Sequence, residues 1–158
     1  MSILKSEIIK ASNESAKPWI LWTNVFVMTD NIIYAVYKTE EKKGDETVLK
    51  ALKGIHIALK NVDNNFVKVA DALIKGEKIP EINLPPVELA DWDEKSGISD
   101  GIIDSICNAV SLIMEIIPVE SESTCIEMVL KSLEGLINAC KEFKDIMGKK
   151  NTIPEIAL

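Results

Sequence analysis

Few side chains in this sequence could do chemistry. There is one histidine, His56, and there are three cysteines, Cys107, Cys125 and Cys140. A single imidazole excludes an HExxH zinc site, a Cys/His zinc finger and the paired Glu-x-x-His ligands of di-iron bundles. His56 therefore reads as an ordinary surface or partly buried residue. The cysteines form no Cys-x-x-Cys pair. Cys107 and Cys140 fall on or near apolar helix faces, where thiols are normally inert. Cys125 begins a helix, which favours its thiolate, but the sole histidine would have to reach it to act as a base. No G-x-S-x-G, P-loop or G-x-G-x-x-G motif is present. Residues Asp91-Trp92-Asp93-Glu94-Lys95-Ser96-Gly97 resemble a calcium loop only in outline. Lys95 takes a ligand position, the glycine comes one place late, and Ile102 stands where the twelfth-position glutamate belongs. The reading is a chain without catalytic residues, cofactor or metal: not an enzyme.

The remaining candidates are contact residues. Trp19, Trp22 and Trp92 are the aromatic anchors available to an interface. Asp91, Asp93 and Glu94 flank Trp92 and lie in an acidic region: from Ile79 to Glu127 there are eleven acidic residues and one lysine, Lys95. Such a surface suits a basic partner. Ile153, Pro154, Ile156 and Leu158 form an apolar tail whose alternate side chains fit a groove between helices, in the same chain or in another. Nucleic acid is not the expected partner. All 18 basic residues are lysines and the net charge is −7. Without arginine the chain lacks the usual bidentate reader of phosphate and guanine.

These residues must be carried by helices. Val48-Leu49-Lys50-Ala51-Leu52-Lys53-Gly54 returns as Val129-Leu130-Lys131-Ser132-Leu133-Glu134-Gly135, and Ile79-Pro80-Glu81-Ile82-Asn83-Leu84 returns as Ile153-Pro154-Glu155-Ile156-Ala157-Leu158. The apolar residues Val48, Leu52, Ile55, Leu59, Val62, Phe66, Val69 and Leu73 keep a 4-3-4-3 spacing, as do Ile126, Val129, Leu133, Leu136, Cys140, Phe143 and Met147 in 3-4-3-4. Asp45 offers an N-cap to the first of these helices and Gly76 a C-cap; Gly148 is expected to close the second. Gly54 and Gly135, at matching places, suggest close helix approach. A third helix follows Ser99 or Asp100, with Ile103, Ile106, Val110, Ile113 and Ile117 on one face. Its second stripe, Ile102, Ala109 and Ile116, predicts cover on two sides. Trp19 to Tyr37 is strongly apolar, but Thr23, Asn24, Thr29, Asp30 and Asn31 interrupt it, so it reads as a buried helix and not as a membrane span. Residues 3–13 suggest a further short helix.

The expected fold is all-α: one domain over residues 1–158, an antiparallel helical bundle. It is built from two tandem, duplicated helical hairpins, each followed by an extended Ile-Pro-Glu-Ile-x-Leu tail. The repeats span about 18–84 and 99–158, joined by the acidic, proline-containing connection 85–98. The first long helix is expected to outreach its copy. An odd number of cysteines and an N-terminus without a signal-peptide pattern predict a cytoplasmic protein with reduced thiols. Function is expected as a non-enzymatic protein–protein interaction module, whether scaffold, adaptor, structural subunit or small acidic inhibitor. Its partner is another protein or a second copy, met through helical faces and the acidic connection. The alternative is a carrier holding an apolar small molecule or lipid inside the bundle. Action at a membrane through residues 19–37 lacks the basic face it needs.

Overall fold

The computed structural model describes residues 14–80, 82, 84–85, 100–117 and 123–156; for 100–102 and 150–156 it describes the backbone alone. Among the described residues there are four helices and no strand: α1 (Lys17–Glu41), α2 (Glu46–Ile74), α3 (Asp100–Ile116) and α4 (Thr124–Ile156).

Local chemistry sets the ends of the first two helices. Pro18 sits in the first turn of α1, where its missing N–H costs nothing. Gly44 takes φ 72, a conformation that a side chain resists, and reverses the chain. Asp45 then caps α2 by accepting from the Thr47 and Val48 amides at 3.1 and 3.3 Å. At the far end Gly76, with φ 82, closes a Schellman motif. Its amide donates to Leu73 at 3.1 Å, and the Glu77 amide donates to Ala72 at 2.9 Å.

Pairwise contacts fix the directions of the helices. Trp19 meets Phe66, Asp30 meets His56, and Lys53 lies over Tyr37, so α1 and α2 are antiparallel. Asn65 donates to the Met128 carbonyl, while Glu142 and Ile146 border a groove with Glu46 and Lys50, so α2 and α4 are antiparallel too. Lys144 pairs with Asp104, and Cys107 lies beside Cys140, which sets α3 against α4 in the same sense. The bundle therefore runs up, down, down, up. Because α2 and α3 point the same way, the end of α2 and the start of α3 lie at opposite ends of the bundle, which a hairpin turn cannot join.

The core is one cluster fed by all four helices. Both heptad seams are buried, from Val48 to Val69 on α2 and from Ile126 to Phe143 on α4. So are Ile103, Ile106, Val110, Ile113 and Ile117. Trp19, Phe26 and Phe66 stack at its centre, with ring centroids 4.9 and 5.0 Å apart. Beyond Gly76 the chain folds back over this core. Ile82 is buried, Ile79 and Leu84 pack against it, and Trp22 Nε1 donates to the Pro85 carbonyl at 3.0 Å.

The structure corrects four expectations. Gly148 does not close α4: among the described residues only Gly44 and Gly76 have positive φ, and the backbone stays helical through Ile156. Residues 153–156 are thus helix and not extended tail. A glycine commonly stops a helix by turning left-handed, which Gly148 does not do, and Pro154, six residues later, lies within the helix. For the same reason α4, at 33 residues, outreaches α2, at 29, reversing the predicted order. Gly54 and Gly135 mark no close approach, since a Cβ added at either meets nothing within 4 Å. Gly54→Ala should therefore raise stability by about 0.5–1 kcal/mol through helix propensity alone, read as a higher denaturation midpoint. Finally, the second stripe of α3 is covered only in part: Ala109 packs against the core, but Ile116 is 38% exposed and Leu112 beside it 52%.

Candidate interaction surface

Two of the three tryptophans expected to anchor an interface, Trp19 and Trp22, are placed inside. Trp19 is 1% and Trp22 4% exposed, both within the core, because their large apolar area is worth most when buried against Phe66 and Phe26. Neither presents a surface to a partner. Asp91, Trp92, Asp93, Glu94 and Leu158 lie outside the described residues. Ile153, Pro154 and Ile156 belong to the last turns of α4, known by backbone only.

A different surface emerges on α1. Every exposed residue between Pro18 and Tyr37 is uncharged: Leu21, Asn24, Met28, Asn31, Tyr34 and Ala35. In a chain with 27% charged residues this is unusual for a solvent-facing helix. The outer faces of α2 and α4 follow the ordinary pattern, with exposed Lys50, Lys53, Lys60 and Lys68 on one and Glu134, Lys141, Glu142 and Asp145 on the other. Five of the α1 residues, at 21, 24, 28, 31 and 35, repeat the 3-4-3-4 spacing of a helix seam on the side away from α2.

The uncharged face continues onto α3. Val25 and Ala109 line the same small void between α1 and α3, together with Trp22, Thr29 and Ile106. Leu21 and Met28 stand one turn to either side of Val25, and Leu112 and Ile116 one and two turns beyond Ala109. These four line the margins of the α1–α3 seam and are 58%, 40%, 52% and 38% exposed. The bundle is thus sealed along α1–α2, α2–α4 and α4–α3, and bordered by apolar side chains along its fourth side.

Titratable groups lie on the opposite flank of α1. Asp30 Oδ1 is 2.6 Å from His56 Nδ1. Close by, Asp63 is 4% exposed and its Oδ1 has no hydrogen-bond partner among the described residues. Burial, with the Asp30 charge adding, pushes its carboxyl up to about 7. The Cys140 thiol is buried, and burial raises its pKa, with Cys107 beside it adding and Lys144 opposing, so it is a poor nucleophile. No cluster of three or more His, Cys, Asp or Glu able to hold a metal occurs among the described residues.

Two spaces among the described residues bear on whether a ligand could be held. The void at the α1–α3 seam measures about 10 Å³, less than one small molecule needs. The groove beside α2 is larger, about 620 Å³, but open and mixed in charge, with Lys50, Lys53, Glu46 and Glu142 around Tyr37 and Ile146. No helix of the described residues is long and apolar enough to cross a membrane.

The α1 surface was present in the sequence as a spacing, but two of its five positions are asparagine and one is alanine. An apolar count along α1 points instead to the buried stripe through Trp22, Val25 and Ile32. No family model matches this chain, and no curated protein and no solved structure matches it.

Proposed function

We propose that this protein is a non-enzymatic protein–protein interaction module, built as two related helical hairpins, that meets its partner through the exposed face of α1 and the adjoining margin of α3. The observation that carries this reading is the uncharged outer face of α1, from Leu21 to Ala35, on a bundle whose other long helices present charge. A helix face left without charge in water is a face that another surface covers. The contact is apolar and amide-mediated, so it depends weakly on salt. Its test is native mass spectrometry of the untagged chain from its own source, beside a Leu21→Lys/Met28→Lys double variant. The wild type is expected to carry a discrete bound chain that the variant loses. Thermal unfolding of the variant should move by less than about 1 kcal/mol, because both side chains are exposed. An unbound wild type, or a complex that survives both lysines, would refute the assignment of this face.

A further inference from the structure

We propose that the occupant of the α1 face is a second copy of this chain, seated antiparallel across a two-fold axis that passes through Met28. This rests on the contact-face reading above and adds the identity of the partner.

Charge is the first argument. Each copy carries a net charge of −7, so two copies repel unless they approach through a surface free of like charge. The α1 strip is such a surface. A basic partner, by contrast, gains nothing from a neutral strip.

Self-complementarity is the second. Positions 21, 28 and 35 are symmetric about 28, and positions 24 and 31, four residues before it and three after, depart from that symmetry by one residue. Antiparallel pairing sets Leu21 of one copy opposite Ala35 of the other, a large side chain into the space of a small one. It sets Asn24 one residue, about 1.5 Å of helix rise, from the level of Asn31 of the other copy, within reach for each amide to donate and accept. Met28 meets Met28 on the axis, and its unbranched thioether adapts to a like neighbour. The pairing is isologous, as closed two-fold dimers require. At the ends, Glu14 of one copy, which bridges its own Lys17 at 2.9 Å, comes beside Lys42 of the other, which is exposed and opposite to it in charge. Parallel pairing would put Glu14 beside Glu14 and Ala35 beside Ala35, combining repulsion with a gap. The 3-4-3-4 spacing keeps the seam on one line over its fourteen residues, about 21 Å of helix. Leu112 and Ile116 of α3 border it. A strip of this length gives a contact at the small end of specific interfaces, as suits a reversible dimer.

Sedimentation equilibrium of the full chain, with cross-link mapping, tests this. The wild type is expected to dimerise reversibly. Met28→Glu places two carboxylates together on the axis and should weaken the dimer by roughly a hundredfold while leaving the monomer's unfolding temperature unchanged. A short bis-maleimide should join Met28→Cys copies at position 28. In a mixture of Leu21→Cys and Ala35→Cys copies it should join 21 to 35, with peptide masses separating these products from any at the native cysteines. A 21-to-21 product, or a dimer indifferent to Met28→Glu, overturns the proposal. So does a chain that stays monomeric with the strip protected by its own outlying segments. If the wild type is monomeric but binds a different protein that is lost in Leu21→Lys/Met28→Lys, the contact face stands and the second copy is ruled out. If it binds nothing, both readings fall.

Discussion

Phe66→Ala should lower the unfolding free energy by about 3–5 kcal/mol, the loss expected for truncating a fully buried aromatic. Phe66 is 0% exposed and lies where α1 meets α2, with Trp19 at 4.9 Å and Phe26 at 5.0 Å between ring centroids. Truncation removes the transfer free energy of the ring, leaves a cavity that two rigid aromatics cannot collapse into, and ends both ring contacts. Domains of this size unfold with about 5–15 kcal/mol, so the variant would lose a large part of its margin. Urea denaturation measures it. The midpoint should fall while the slope stays constant, because the surface exposed on unfolding is nearly unchanged. Ile57→Ala is the control: Ile57 is 59% exposed and should cost less than about 0.5 kcal/mol. A Phe66→Ala loss below about 1 kcal/mol would mean that the aromatic cluster is not the centre of the core.

The second large effect is a pH dependence opposite in sign to that of an ordinary carboxylate. Asp63 is buried, and its carboxyl titrates near 7 in the folded chain against 3.8 for an ordinary aspartate. Burial is the main cause, and the charge of Asp30, which His56 binds on its other side, is the second. Between pH 3.8 and 7 the folded state holds a proton that the unfolded state has released. Stability from this group is therefore fully present below the lower value and is lost as pH rises through about 7. A shift of this size is worth on the order of 2–4 kcal/mol, the lower figure applying if water reaches the carboxyl once it ionises. Asp63→Asn cannot ionise. Unfolding free energies of the two proteins should differ most at pH 8, with the variant more stable by about 1–3 kcal/mol, narrow through pH 5 and converge only as pH falls to 3.8. Taking the difference removes every other titrating group. If the gap does not change between pH 5 and 8, the Asp63 carboxyl is hydrated in the folded state and the burial argument fails.

Periodicity made the helical bundle legible, but not its exposed face. The seams of α2, α3 and α4 were visible because apolar residues recur at 3-4 spacing against a polar background, and all but their last positions are buried. Asp45 and Gly76 were visible as caps because side-chain acceptance and left-handed φ are local properties. Three features needed coordinates. Gly148 carries no mark that tells a glycine continuing a helix from one that ends it. The burial of Asp63 depends on which flank α1 occupies, and one heptad seam cannot specify that. On α1, apolar residues spread around most of the helix, so the sequence could not say which stripe meets the core and which faces out. That ambiguity also put Trp19 and Trp22 among the contact residues, when the outward stripe is the plainer one through Leu21, Asn24 and Met28.

The up-down-down-up order has a mechanical consequence. Because α1 and α4 run in the same direction, the start of α1 and the end of α4 lie at opposite ends of the bundle. Tension applied between those two points does not peel one helix from its neighbour a turn at a time. It drags α1 and α4 lengthwise in opposite directions against α2, so the packed seams on both sides of α2 are loaded in shear and many contacts must slip together. A hairpin-by-hairpin bundle with both ends on one side would unzip instead. Under load this chain is expected to behave as a strut, yielding abruptly and at higher force than its thermal stability alone suggests.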